Sequence, residues 1–128
     1  MNILITGSSR GIGFGLVTEA LGAGHKVFAV ARNTTSLKEL KTDFPDRLLP
    51  IELDISQPGG IETLASEIAK HGSLDILVNN AGIAGVNKPT HEITSEEWDA
   101  TIAVNLKGVF LCTKHVLPTL VLPIMMTV

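Results

Sequence analysis

The chain has no tyrosine, one tryptophan and one cysteine, and aromatic residues make up only 4% of its 128 residues. A single thiol, Cys112, excludes an intrachain disulfide and a cysteine-built metal cluster, so an apolar core has to hold the fold. With no activating partner evident, Cys112 reads as a small buried hydrophobe rather than a nucleophile. Basic residues are scarce as well. The 10 Lys and Arg against 13 Asp and Glu leave a net charge of -3, which argues against the basic face of a nucleic-acid-binding surface. His25, His71, His91 and His115 are scattered in the manner of surface or loop histidines, not of a metal-ligand set. Long hydrophobic runs are missing too. The longest, VLPTLVLPIMMTV over 116–128, is too short to span a bilayer as a helix and contains Pro118 and Pro123. No basic segment or cleavage pattern follows Met1, so the expectation is a cytoplasmic protein without a leader and without a membrane partner.

What is present is an apolar-rich chain, 45% hydrophobic with a mean hydropathy of +0.32, of the length of one domain. Asn2 to Thr6 reads as a buried strand stopped by Gly7. Ile12, Leu16, Ala20 and Ala23, with Val17 and Leu21 beside them, have helical spacing that Gly22 and Gly24 end. Lys26 to Ala31 is a second buried strand. Ser36 and Glu39 resemble a capping box opening a short helix with Leu37, Leu40 and Phe44 on one side. Leu48 to Ile55 is a third strand, with Pro50 marking an edge or a strand start. Ile61, Leu64, Ala65, Ile68 and Ala69 line one helix face. Leu74 to Val78 forms a fourth strand, broken by Asn79-Asn80-Ala81-Gly82. After a polar loop, Thr94 and Glu97 form a second capping box, and the last helix carries Trp98, Ile102, Asn105, Val109 and Cys112 on one side. Alternation of strand and helix with short connections predicts an α/β fold with a parallel sheet covered on both faces.

The connection TGSSRGIG, residues 6–13, falls between the first strand and the first helix. A helix start offers unpaired N–H groups and a partial positive charge, and glycines there let a phosphate approach the backbone. The spacing is neither the usual G-x-G-x-x-G nor a P-loop. The second strand ends in Ala31-Arg32, where an acid would hold a ribose 2′-hydroxyl and an arginine accommodates a 2′-phosphate. Arg10 and Arg32, with no carboxylate beside them, favour NADP over NAD. A strand–helix turn that merely needs glycine, and a solvated Arg32, are the plainer alternatives.

Four motifs in order resemble one family, the short-chain dehydrogenases/reductases. TGSSRGIG matches T-G-x-x-x-G-x-G, NNAG at 79–82 follows a strand, Leu53-Asp54-Ile55 matches the acid-bearing end of the third strand, and Val104-Asn105 matches the helix asparagine. The resemblance implies a Rossmann-type doubly wound sheet. It places Gly7, Ser8, Ser9, Arg10, Gly11, Ile12 and Gly13 around the pyrophosphate and adenosine ribose. Asp54 would accept from the adenine amino group with the Ile55 backbone beside it, and Asn80, Ala81 and Gly82 would border the ribose. Asn105 would hold a water in the proton relay; bridging helix backbone to neighbouring strands is an equal alternative for it. Relatives often pair through the last helix, so a homo-oligomer is a candidate assembly.

The chain departs from the family where chemistry happens. The family's acid is a tyrosine with a lysine four residues on, helped by a serine, and this chain has no tyrosine. The expectation is therefore an NADP-binding domain over 1–117, truncated after about four strands in the order 3-2-1-4, and a divergent apolar tail over 118–128. The tail could fray, fold over the fourth strand, pair as an improvised strand with Pro123 limiting the ladder, or leave the gap to another chain. The function expected is that of an NAD(P)-dependent oxidoreductase of carbonyl or alcohol substrates, inactive alone. The alternative is a non-catalytic NADP(H)-binding module or partner-binding fragment. A methyltransferase-like nucleoside domain ranks last, because Ala31-Arg32 lacks the acid such sites want.

Overall fold

The computed structural model describes residues 1–127, with side chains described up to residue 120. Strands β1 (Asn2–Thr6), β2 (Lys26–Ala31), β3 (Leu48–Glu52) and β4 (Leu74–Asn79) lie parallel in the order β3-β2-β1-β4. Helix α1 (Gly11–Gly22) follows β1, α2 (Thr35–Lys41) follows β2 and α3 (Pro58–Lys70) follows β3. The long final helix comprises α4 (Ser95–Ile102), a π-helical segment Ala103–Gly108 and α5 (Val109–Val116).

The strands read as unbroken apolar runs because both sheet faces are buried. Ile3 and Ile5 of β1 and Val27, Ala29 and Ala31 of β2 meet Val17, Leu21 and Leu37 on the side of α1 and α2. Leu4, Phe28 and Val30 meet Ile61, Leu64, Ile68, Leu111, Cys112 and Val116 on the side of α3 and α5. Leu4, Val17, Leu21, Ile61, Ile68 and Cys112 have no exposed surface. Each fully buried aliphatic contributes about 1.5–3 kcal/mol relative to exposure. Burial pushes the Cys112 thiol up to about 11, which makes it a poor nucleophile.

The sheet extends past β4. Strand β5 (Leu120–Thr127) runs parallel to it, from Leu74 opposite Leu120 to Asn79 opposite Thr127. The ladder is irregular between Leu74 and Ile76, whose partners are Leu120 and Ile124. Pro123, which has no N–H to donate, falls inside that irregularity. Of the readings open for the tail, pairing is therefore the one adopted by residues 120–127. Val128 lies outside the described residues.

Four expectations need correction. The third strand ends at Glu52, not Ile55, because Asp54 turns the chain by accepting from the Ser56 N–H and hydroxyl. Helix α1 buries Gly13, Val17 and Leu21, whereas Ile12 is 68% exposed, because Gly13 presses against the loop and rotates Ile12 outward. Ser36 and Glu39 form no capping box: α2 starts at Thr35, and the Ser36 hydroxyl donates to the Ser9 carbonyl instead. The last helix keeps no single buried face from Trp98 to Cys112. Its π turn shifts the register, leaving Trp98 and Asn105 exposed while Gly108, Leu111, Cys112 and Val116 are buried. The capping box of Thr94 and Glu97 is present with both its bonds.

Candidate functional site

Parallel strands deliver all their following loops to one edge of the sheet, and a large cleft lies there. Its volume is about 800 Å³, and its wall draws on residues from Gly7 to Val104. Every residue expected to hold a dinucleotide lines it except Ser8: Gly7, Ser9, Arg10, Gly11, Ile12, Gly13, Arg32, Asp54, Ile55, Asn80, Ala81 and Gly82. Ser8 is fully buried beneath the loop. Its N–H and hydroxyl both donate to the Val30 carbonyl, at 3.1 and 2.8 Å, and tie the loop to β2.

The loop's shape follows from its glycines. Gly7 has φ 68° and Gly11 φ 57°, the left-handed region that favours glycine. A Cβ at Gly7 would lie 2.6 Å from Ala81 Cα, and one at Gly13 would strike the Gly7 carbonyl and the Asn80 amide. The loop, the start of α1 and the turn after β4 are thus packed backbone to backbone. Helix α1 begins with no side-chain cap and no acid in its first turn. Its first amides and the positive end of its dipole therefore face the cleft with no carboxylate of the helix's own first turn beside them.

Two side chains lock this arrangement. Asn80 Nδ2 donates to the Thr6 and Gly7 carbonyls at 3.0 and 3.1 Å. The Thr6 hydroxyl accepts from the N–H groups of Asn80 and Ala81, both at 3.1 Å, and donates toward the Val78 carbonyl. Asn80 borders the cleft, yet its amide nitrogen works on the loop. Thr6 is the last residue of β1 and the first of TGSSRGIG, and its part in the site lies in bonds that the sequence does not show.

The rim carries mixed charge. Arg10 and Arg32 are exposed on the cleft wall and make no ion pair among the described residues. Asp54 is held below the ordinary carboxylate value of 3.8, first by the Ser56 hydroxyl, then by the Ser56 N–H and more weakly by the charge of Arg32. Both Ser56 bonds fall on Asp54 Oδ1. Asn33, Thr35, Ser36 and Glu39 also line the rim and were not expected; the polar start of α2 brings them there.

Asn105 lies outside this cleft. It lines a smaller recess of about 420 Å³ that shares Asn80, Ala81, Gly82 and Ile83 with the first. Its Oδ1 accepts from the Ile83 N–H and its Nδ2 donates to the Ile83 carbonyl, both at 2.8 Å. That pair clamps the segment after β4 to the π turn, the bridging role that the sequence left open beside water binding.

A cleft of this size is in the range of ligand pockets, about 300–1,000 Å³. Bare backbone, an uncapped helix start and two unpaired guanidinium groups fit a phosphate-linked nucleotide. Among the described residues no helix is long and apolar enough to cross a membrane.

Comparison with known proteins agrees with this geometry. A family profile described as short chain dehydrogenase matches residues 1–124. The NADP-dependent 3-hydroxy acid dehydrogenase YdfG of Escherichia coli is 39% identical over 122 residues, covering 94% of this chain and 49% of the relative. A short-chain dehydrogenase from Streptomyces avermitilis superposes with a TM-score of 0.87 at 34% identity, over 91% of this chain and 43% of that one. A serine dehydrogenase in a closed form complexed with NADP+ gives 0.86 at 37% identity, over 93% and 48%. The chain thus spans about half the length of the curated relatives it matches.

Proposed function

The chain belongs to the short chain dehydrogenase family, and from that premise we propose that its cleft binds NADP(H). On this reading it is the cofactor-holding part of an oxidoreductase of carbonyl or alcohol substrates. The observation that carries the reading is the cleft itself, which the uncapped start of α1 lines together with Arg10 and Arg32. Gly7, Gly11, Ile12 and Gly13 would hold the pyrophosphate, and Arg10 and Arg32 would face a ribose 2′-phosphate. Asp54, ionised at neutral pH with Oδ2 left over from its Ser56 bonds, would accept from the adenine amino group. When bound, the nicotinamide supplies or accepts the hydride. Similar proteins described as NADP-dependent or as an NADP+ complex support this choice of cofactor.

These 128 residues contain no tyrosine to protonate a developing alkoxide. Asn105 has both polar side-chain atoms on Ile83, so on this reading its role is to hold backbone. We therefore expect the chain alone to bind cofactor without turning over ketones or aldehydes. Trp98, Leu106, Phe110 and Leu117, exposed on and just after the last helix, support pairing with a second copy, which sedimentation would show.

The test is a fluorescence titration with NADPH and NADH. Arg32→Asp should weaken NADPH about 10- to 100-fold, as for the loss of a charge-assisted contact, and NADH far less. Absence of saturable binding at millimolar cofactor, or equal losses for both cofactors, would overturn the assignment.

A further inference from the structure

One contact at the cleft rim joins segments far apart in the chain. Ser36 Oγ donates to the Ser9 carbonyl at 2.8 Å, across 27 residues. A serine at a helix start ordinarily serves its own helix. Here the Thr34 and Ser36 hydroxyls do not. Thr34, 1% exposed, donates to Glu52 at 3.0 Å on β3, and the Ser36 hydroxyl leaves its helix for the glycine loop. Ser9 immediately precedes Arg10, and Arg32 opens the segment that leads to Ser36. The bond therefore links the backbone on which one arginine stands to the backbone that follows the other. Ser9, Arg10, Arg32 and Ser36 all line the same wall. Glu39, one turn beyond Ser36, lines it too.

We infer that Ser36 is a positioning residue for nucleotide choice: its bond to Ser9 holds Arg10 and Arg32 where both reach one phosphate on the adenosine 2′-position. The inference rests on the NADP(H) reading above. It makes Ser36 act through the glycine loop, without touching the phosphate itself.

Calorimetric titration of the 128-residue chain with adenosine 2′,5′-bisphosphate and with adenosine 5′-monophosphate tests it, using wild type, Ser36→Ala and Ser36→Thr. Melting curves confirm that each variant is folded. Ser36→Ala should weaken the bisphosphate about fivefold, the size expected for one neutral hydrogen bond, and the monophosphate less than twofold. Ser36→Thr, which keeps the hydroxyl, should restore the wild-type ratio. Equal losses for both nucleotides, an unchanged ratio in Ser36→Ala, or no recovery in Ser36→Thr would each overturn the positioning role while leaving the cofactor assignment standing. A wild-type chain that binds neither nucleotide would bring down the cofactor assignment, and the positioning role with it.

Discussion

Replacing Thr6 by valine removes a single hydroxyl and should cost far more than a surface change. Thr6 is 1% exposed, and its oxygen accepts from two backbone N–H groups, those of Asn80 and Ala81, each at 3.1 Å. In Thr6→Val a methyl group stands where the acceptor was, and water cannot reach the position. A donor left unsatisfied costs about 1–3 kcal/mol. Because Asn80 and Ala81 are only partly buried, the lower half of that range applies to each. The sum is a loss of about 2–4 kcal/mol of stability. For a chain of this length that corresponds to a fall in melting temperature of roughly 3–5 °C for each kcal/mol. Urea denaturation would show the loss as a lower midpoint at unchanged slope. Thr6→Ser keeps the acceptor and should stay within about 1 kcal/mol of wild type, losing only a methyl group. If Thr6→Val melts within a degree of wild type, or Thr6→Ser falls as far as the valine variant, the hydroxyl does not latch the Asn80–Ala81 backbone.

The glycine loop allows a paired substitution. Gly13→Ala should reduce NADPH affinity by more than about tenfold and lower the melting temperature, because its Cβ meets the Gly7 carbonyl and Asn80, and core overpacking costs about 1–3 kcal/mol. Gly15→Ala, which meets nothing within 4 Å, should be neutral or stabilising by up to ~1 kcal/mol; equal damage at both positions would refute the packing argument. Asp54 contributes stability with a definite pH sense. Its folded pKa is lowered beneath 3.8, so the gain is fully present above the unfolded value and disappears as pH falls through the folded one. Ser56→Ala should therefore destabilise at pH 6, and its difference from wild type should shrink steadily below pH ~4; a difference that grows on acidification contradicts the sign. Asn105→Ala should speed hydrogen exchange at the Ile83 amide, whose 2.8 Å bond to Oδ1 is lost, while amides of β1 keep their protection.

Where the sequence was legible, one dominant force explained it. Strands β1 and β2 were read to the residue because burial on both faces demands an uninterrupted apolar run. The end of β3 was not, since Leu53 and Ile55 are apolar enough to continue a strand and only the Asp54–Ser56 turn stops it. Likewise Ile12 is apolar but points outward, and periodicity cannot see the close approach at Gly13 that turns it. Residues of the cleft were recognisable by type and spacing, whereas the destinations of their hydrogen bonds were not. Asn80 and Ser36 both serve carbonyls of the glycine loop, from 73 and 27 residues away. No residue type announces a π turn, so the outward position of Asn105 had no signature. Pro123 carried a readable warning of an interrupted ladder, and a bulge opposite Asp75 is what accommodates it.

The cleft wall is contributed by stretches that lie at opposite ends of the chain, from Gly7 to Val104. Any molecule seated there touches segments that must otherwise find one another unaided, and so behaves as a non-covalent staple. At a hundredfold excess over its dissociation constant such a guest adds about 2.7 kcal/mol to the folded state. If the proposed nucleotide is that guest, the survival of this protein against proteases would rise and fall with its supply, turning a store of cofactor into a control on how much of the chain persists.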